Sequence, residues 1–593
     1  MVKRKKLFFC LSLILSTMMF SSSLLIRIQG EQNISNNVYQ VVQSDKSTWF
    51  WPSVEVLSQT SDDSHGQAIK IDDNNNIHFV FNDDTSDLDG SGSDRDVFYM
   101  RWDSETKIWS DPETVSTESS GNSDNPAIAI DKNNNIHVAW VDFTDILGAG
   151  SDRDVFYKRR TPAGVWTTSE LVSTDSTANL QQVSIDVDNS GNPSIAWTDQ
   201  TDVGDLGGSD YDIFYNSLTV LTSTWLGMTL VSTESDTGSY NPDVIIADND
   251  DIHFAWYDYS DLGSGADQDI FYKKYMVAEA DWLPLIFISS ESTDDSRHPS
   301  MTIDNVGKIH IVWEDITDYE ESSVDKDIFY KYYDPQLSSW STTEVITIES
   351  TTVSTYATVA VDKKGIVHVT WEDLTPFPGT GSDYDIYYKF KNSPSDDWSS
   401  LTLVSNEMTL NSFVPIIAVD GLGHVHIVWY DETDYDGCGF DYDIFYRKFV
   451  GPPEDITLYP ISPNPSIVGN ITIDWEESFG ALNYDIYRDL SYISTTDSLT
   501  PIASVSTNTF EDELNASGTY YYSVIASNDY ADSDLSNVES VVVHDPADQQ
   551  GFFEDFNWGE VIIIVGIVGA LQIILTLTMV VILKTPPSKG KKK

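Results

Sequence analysis

One phrase, an Asp-x-Asp pair running into an aromatic strand, is written seven times. It reads DRDVFY from Asp94 and Asp152, DYDIFY from Asp210 and Asp441, DQDIFY from Asp267, DKDIFY from Asp325 and DYDIYY from Asp383. Successive copies begin 58 residues apart, with one step of 57. So regular a period means stacked copies of one structural unit, each needing its neighbours to bury its apolar faces.

The period beginning at Asn125 contains four runs rich in Val, Ile, Phe, Tyr and Trp, separated by clusters of Asn, Asp, Gly and Ser. Short β-branched and aromatic runs between turn residues read as strands, and none is long enough or correctly spaced for a helix. The second run of each copy ends on Phe81, Trp140, Trp197, Trp256, Trp313, Trp371 and Trp429. A fourth run starts at Trp109, Trp166, Trp225, Trp282, Trp340 and Trp398, one short of the number of copies. The missing strand lies at the other end, where WPSVEVLS from Trp51 matches WSDPETVS from Trp109. The expected fold class is therefore all-β: a seven-bladed β-propeller over 49–450 whose N-terminal strand completes the last blade, so that no sheet edge is left open.

After the propeller the period stops. Residues 451–544 carry short alternating strands, ITIDWEES, NYDIYRD and GTYYYSVIASN among them, and read as a β-sandwich. With Trp475 on an early strand and LNASGTYYYSVIASN from Leu514, this region resembles a fibronectin type III domain, which implies a spacer or interaction module.

The ends carry membrane signals. MVKRKK followed by an apolar stretch reads as a signal peptide within 1–30, joined by a linker over 31–48. Residues 561–583 have no charge and, as a helix, would span roughly 34 Å, enough for a bilayer core. A linker over 545–560 precedes this segment, and the lysine-rich tail 584–593 follows it. That places the tail in the cytoplasm and the bulk of the chain outside, on a single-pass cell-membrane anchor. With 94 acidic against 33 basic side chains, the net charge is -61, which argues against nucleic acid or an anionic membrane surface as partner. Only Cys10 and Cys438 are present, so a disulfide framework is excluded, and the sequons at Asn33, Asn470 and Asn515 fit an exported, archaeal-like surface protein.

The loops between second and third strands concentrate carboxylates. Candidate ligands for calcium are Asp142, Asp145, Asp152 and Asp154 in the second repeat, Asp199, Asp202, Asp210 and Asp212 in the third, and Asp258, Asp261, Asp267 and Asp269 in the fourth. Calcium accepts such hard oxygen donors in flexible geometry. The competing reading is that each Asp caps the turn into the third strand, and repetition in every copy favours it. The histidines His78, His137, His253, His310, His368 and His426, with Ser194 in the remaining repeat, sit at one strand position. Symmetry spreads them round a ring, so they read as structural rather than as metal ligands.

The Asp-plus-aromatic repeat resembles the sialidase-like (BNR-type) propellers, although no repeat carries Ser-x-Asp-x-Gly-x-x-Trp intact. The resemblance implies glycan recognition, and for a sialidase three arginines on the substrate carboxylate. Here Arg95 and Arg153 are repeat equivalents, and Arg101, Arg159, Arg160 and Arg447 lie in or just after third strands. Other seven-bladed relatives cleave polysaccharides with a His and a Tyr, and His298, in SRHPS, is a histidine unique to its repeat, expected in a face loop. The residues single out no catalytic set. The function expected is a surface ectodomain that binds a glycan, a matrix polymer or a surface protein, with a tethered polysaccharide-acting enzyme and a surface-layer component as alternatives. Protease added to intact cells should digest the large acidic region and leave the basic tail protected; the reverse pattern would overturn the predicted topology.

Overall fold

The computed structural model describes residues 51–544, apart from 203–209, 320–324, 467–469 and a few shorter loop stretches. The predicted signal peptide, both linkers, the 561–583 segment and the basic tail lie outside the described residues. Among the described ones every regular element is a strand, and no helix is long and apolar enough to cross a membrane.

The repeats form a propeller-like, all-β arrangement of seven antiparallel sheets. Sheet 2 shows the plan: an inner strand Ser123–Ile130, then Ile136–Asp142, Asp154–Arg160 and a short outer strand Glu170–Leu171. The inner strands of the others are Ser64–Ile71, Leu180–Val187, Ser239–Ile246, Ser296–Ile303, Ser354–Val361 and Ser412–Val419, for sheets 1, 3, 4, 5, 6 and 7. Each inner strand lies beside the next, and that of sheet 7 lies beside that of sheet 1. The outer strand differs from the single run expected. In sheets 1, 3, 4 and 5 it is broken into two short pieces that both pair with the third strand.

Closure is as expected. Glu55–Val56 pairs with the third strand of sheet 7, Glu55 opposite Tyr446 and Val56 opposite Phe445. The Leu57 amide donates to the Ile444 carbonyl, and Ser58 Oγ donates to Asp443 Oδ1 at 3.3 Å. Arg447 Nε donates to the Pro52 carbonyl at 2.8 Å, and its guanidinium covers the Trp51 ring.

The third strand presents an apolar side chain to each neighbour. Val155 and Tyr157 pack with Trp197 and Phe214 of sheet 3, whereas Phe156 packs with Val80 and Tyr99 of sheet 1. The strand histidines are buried beneath this packing. Nδ1 of His78, His137, His253, His310, His368 and His426 lies 2.6 to 2.8 Å from the hydroxyl of a third-strand tyrosine. In sheet 3, which lacks the histidine, Ser194 bonds Ser217 at 2.7 Å instead. Burial lowers the His253 ring to about 3 and the His426 ring to about 4, so these groups stay neutral.

A second repeated device joins neighbouring sheets. Lys158, Lys273, Lys331 and Lys389 reach from a third strand to the preceding sheet and donate to the carbonyls of Val115, Val231, Ile288 and Ile346 at 2.6 to 2.9 Å. Each ammonium also pairs with Glu118, Glu234, Glu291 or Glu349 at 2.5 to 2.7 Å. Arg447 and Asn216 make the same link to Val404 and Val172.

Beyond the repeats, two further antiparallel sheets pack over one core. Asn470–Asp474 pairs with Thr509–Glu513, and Asn483–Asp489 pairs with Ala503–Val505 and Gly518–Ser527, which also carries Glu539–Val543. Trp475, Ile486, Tyr522 and Val524 fill the space between them. This sandwich meets the repeat region at Phe479, over which Lys364 Nζ sits 4.4 Å from the ring centre while also pairing with Glu454 at 2.7 Å.

Deleting residues 46–58 removes the closing strand and leaves a third strand edge unpaired in sheet 7. The truncated chain should lose its cooperative thermal transition or melt well below the intact one; an unchanged melting curve would show that closure carries no stability.

Candidate binding face around the central channel

The inner strands share an irregularity that the sequence reading missed. Each is shifted in register against its partner by a bulge near its start. At each bulge one residue is left-handed: Gly66, Asn125, Gln182, Asn241, His298, Tyr356 and Val414, with φ between 35° and 62°. Glycine and asparagine adopt this conformation readily, but a β-branched Val414 does so only under strain from its surroundings. The seven positions line the mouth of a cavity of about 400 Å³ whose walls come from all seven inner strands. The backbone there is repeated and the side chains are not.

Aromatic rings extend this mouth into an arc. Tyr211 lies 5.2 Å from Tyr240, which stacks on Tyr257 at 5.4 Å. Tyr257 meets His298 edge-on at 5.9 Å, and His298 stacks on Tyr356 at 4.6 Å with 22° between the planes. A continuation runs through Tyr384, Phe413, Tyr430 and Tyr442 at 5.3 to 5.6 Å. Tyr356 and Tyr259 remain about 40% open to solvent, 39% and 42%. On the remaining side, sheets 1 and 2 contribute charge: Arg95 pairs with Asp84 at 2.7 Å and Asp124 at 2.8 Å, and Arg153 covers the Phe143 ring.

Beneath the arc lie two glutamates, neither of which the sequence distinguished from the carboxylate-rich loop. Glu314 and Glu372 occupy the middle of Trp-Glu-Asp in sheets 5 and 6 and are buried. Glu314 pairs with Lys326 at 2.6 Å, accepts from the Thr355 hydroxyl, and has His298 Nδ1 at 3.2 Å, close but not aligned as a hydrogen bond. Burial would raise it, but His298 and Lys326 hold it below its ordinary value. Among the described residues Glu372 has only the Val414 amide, at 2.6 Å. Burial, with the Glu314 charge adding to it, pushes Glu372 up to about 8. Two equivalent carboxyls are thus pushed in opposite directions. His298 itself lies on the inner strand at the channel mouth, not in a face loop as expected, because the bulge turns its side chain onto the face.

The predicted calcium ligands separate into distinct environments. Asp142 and Asp258 end second strands and are saturated. Asp142 accepts from Ser119, Ser123, the Trp140 indole and the Thr144 amide, and Asp258 from the equivalent Ser235, Ser239, Trp256 and Ser260. Asp199 takes the Trp197 indole at 3.0 Å and the Thr201 amide at 2.8 Å. Asp154, Asp212 and Asp269 begin third strands and accept from Ser173, Ser232 and Ser289 of the outer segment at 2.7 to 2.9 Å. Burial, with the charges of Asp152 and Asp210 adding to it, pushes Asp154 and Asp212 up to about 7. Asp152, Asp210 and Asp267 are half-buried in the loops, and Asp145, Asp202 and Asp261 are exposed. Among the described residues no three His, Cys, Asp or Glu side chains come together as a metal cage.

No protein-family model matches this chain, and no curated protein matches it. Among solved structures it is similar to a polysaccharide lyase of family PL25, an ulvan lyase, at 11% identity and TM-score 0.45 over 66% of this chain and 95% of that one. It is similar to a Penicillium chrysogenum α-L-arabinanase at 14% identity and TM-score 0.36, over 54% and 92%. A fibronectin type III structure, FN3tt, matches 15% of this chain and 94% of its own at 20% identity and TM-score 0.13. Likeness of this degree assigns no activity to the chain.

The buried Glu372 gives a pH test with a fixed sign. Its folded-state pKa is above its unfolded one, so its contribution is fully present below about pH 4.5 and is lost as pH rises through about 8. Across that window the wild type should lose up to about 1.4 kcal/mol per pH unit relative to Glu372→Gln, which cannot ionise. Parallel stability curves from denaturant titration would show that Glu372 ionises freely.

Proposed function

We propose that the seven sheets are the blades of a seven-bladed β-propeller that binds a glycan chain across the channel mouth. The observation that carries this is the aromatic arc from Tyr211 to Tyr356, built from positions that differ between blades on a backbone that does not. Sugar rings present C–H faces that pack flat on aromatic rings, while their hydroxyls need directional polar partners. Both are at hand, since Asn241, Gln182 and Asn125 share the mouth with the rings. A protein ligand would favour a broader apolar patch. The sequence of the two ends supports display of this face outside the cell, on a sandwich that resembles fibronectin type III domains and serves as a stalk.

A second reading, cleavage of a polysaccharide at the same place, is favoured by one specific arrangement. His298 lies between the Tyr356 ring and the Glu314 carboxylate, and this triple occurs in no other blade. A histidine with a carboxylate 3.2 Å from its Nδ1 and a tyrosine ring stacked on it offers a group that can take up and release a proton.

Binding is tested with the full chain on an array of neutral and uronic-acid polysaccharides. Tyr257→Ala with Tyr356→Ala should weaken binding at least tenfold with little change in melting temperature, because truncating stacked anchors removes most of a site's energy. Unchanged binding by that variant would remove the arc from the site. Incubation of the same polysaccharides with wild type and His298→Ala, read by chain shortening, separates the two readings: shortening that depends on His298 makes the site catalytic.

A further inference from the structure

The loops into the third strands of sheets 2 and 7 are copies of one conformation. In sheet 2, Leu147, Gly148 and Gly150 have φ of 57°, 89° and 107°; in sheet 7, Asp436, Gly437 and Gly439 have 55°, 85° and 129°. The Gly150 amide points at Asp145 Oδ1 at 3.3 Å and the Gly439 amide at Asp434 Oδ1 at 3.4 Å, so the first aspartate of each loop caps it. The glycine is required by more than its backbone angle. A methyl at Gly150 would lie 2.8 Å from Asp152 Oδ1, and one at Gly439 would lie 2.3 Å from Asp441 Oδ1. Each glycine therefore makes room for the first carboxylate of the Asp-x-Asp pair.

The pair itself is incompletely bonded. Asp154 is 1% exposed and Asp443 0%, and each has its Oδ1 taken by a serine hydroxyl, Ser173 and Ser58. Their Oδ2 atoms, and those of Asp152 and Asp441 two residues earlier, are buried with no hydrogen-bond partner among the described residues. The Cys438 thiol approaches Asp443 in sheet 7, but a thiol is a weak donor. Sheet 1 shows what the site needs. There the Gly92 amide donates to Asp96 Oδ2 at 3.1 Å, and that atom is satisfied. In sheets 2 and 7 the glycine amide is turned to the capping aspartate, and among the described residues no amide or hydroxyl replaces it. Two aspartates two residues apart, each with a buried oxygen that lacks a donor and each within reach of the other's charge, form an arrangement that a cation completes.

We propose that a calcium-sized divalent cation is held in each of these two loops, bridging Asp152 and Asp154 in sheet 2 and Asp441 and Asp443 in sheet 7. Two carboxylates leave most of the coordination shell to loop carbonyls and water, which calcium accepts with six to eight oxygens and loose geometry, and which magnesium, needing a tight octahedron, fits poorly. The Gly-x-Gly-x-Asp turn also occurs in sheets 1, 4 and 6, but there, and in sheet 3, the first aspartate of the pair has no buried oxygen left without a donor among the described residues, and the sheet 5 loop lies partly outside them. The sheet 7 pair flanks Tyr442, at the end of the ring continuation, while the rings proposed to hold the glycan run from Tyr211 to Tyr356 and include no residue of either pair.

The test uses the full chain, stripped with a chelator and titrated with calcium chloride by calorimetry, against magnesium chloride and sodium chloride at matched ionic strength. Two sites are expected for the wild type, one for Asp152→Asn with Asp154→Asn, and none when Asp441→Asn and Asp443→Asn are added. Asparagine keeps the turn-capping oxygen, so these variants should hold their fold; if the double variant does not, Asp152→Asn alone, at a half-buried position, is read the same way. On the unaltered chain, calcium should raise the melting temperature above the value in magnesium. Equal heats and equal melting shifts from calcium, magnesium and sodium, or a stoichiometry untouched by the Asp152 and Asp154 changes, would overturn the assignment.

Discussion

A four-stranded sheet with large apolar side chains on both faces cannot exist alone in water, and this constraint organises the whole repeat region. Val155 and Tyr157 need sheet 3, and Phe156 needs sheet 1. Every sheet therefore has to lie between two others, and an array of such sheets ends only by returning to its start. The same demand explains why so short a strand as Glu55–Val56 matters. It lets Val54 and Leu57 enter the clusters of sheets 7 and 1 and keeps the last third strand from presenting an open edge. The lysine bridges between sheets follow the same logic. At the joint of sheets 7 and 1 the bridging position is Met100, packed with Leu57, so apolar contact replaces the ammonium where the chain's two ends meet.

Much of this was legible in the residues. Period, strand order, the structural role of the histidines and the closing strand all follow from patterns repeated six or seven times, and repetition averages out local ambiguity. Part of what was not legible has one physical cause. A bulge moves a side chain from one face of a strand to another without changing the hydrophobic alternation around it. For that reason His298 read as a loop residue; Glu314 lies on a regular second strand, and its burial alone sets it apart from the acids of the loop that follows. Gly66 and Asn125 at the equivalent positions were a usable signal, since both residues favour positive φ, but Gln182, Tyr356 and Val414 conceal it. The bridging lysines were visible as the residue after DVFY or DIFY in several copies, and only their burial shows what they do.

The bulge also separates scaffold from site. Holding Tyr356 and Val414 in a left-handed conformation costs about 1–3 kcal/mol each, and the fold tolerates it because the inner strand is fixed on both sides by neighbouring strands. The amide of Val414 points at Glu372, and that of Tyr356 faces Glu314 at 3.4 Å, so the strained backbone is anchored by the glutamates that share the site. A repeat that fixes the backbone so firmly frees seven side chains to vary. Gly, Asn, Gln, Asn, His, Tyr and Val share one structural position, which is the variation that the proposed binding site requires.

Repetition does not by itself tell a structural carboxylate from a binding one, and the two aspartates facing each other across sheet 2 make the point. Asp142 and Asp154 are register partners on adjacent strands. An ionised carboxylate offers about four lone-pair sites. Asp142 has four donors on it, two hydroxyls, an indole and an amide, and nothing further can bind. Asp154 has one hydroxyl on Oδ1 and none on Oδ2. Both residues recur in every repeat, and both are buried, so neither sequence nor burial distinguishes them. The count of donors does. It assigns Asp142 wholly to the fold, and it leaves on Asp154 a capacity for a hydrogen ion or a metal ion that no described residue fills.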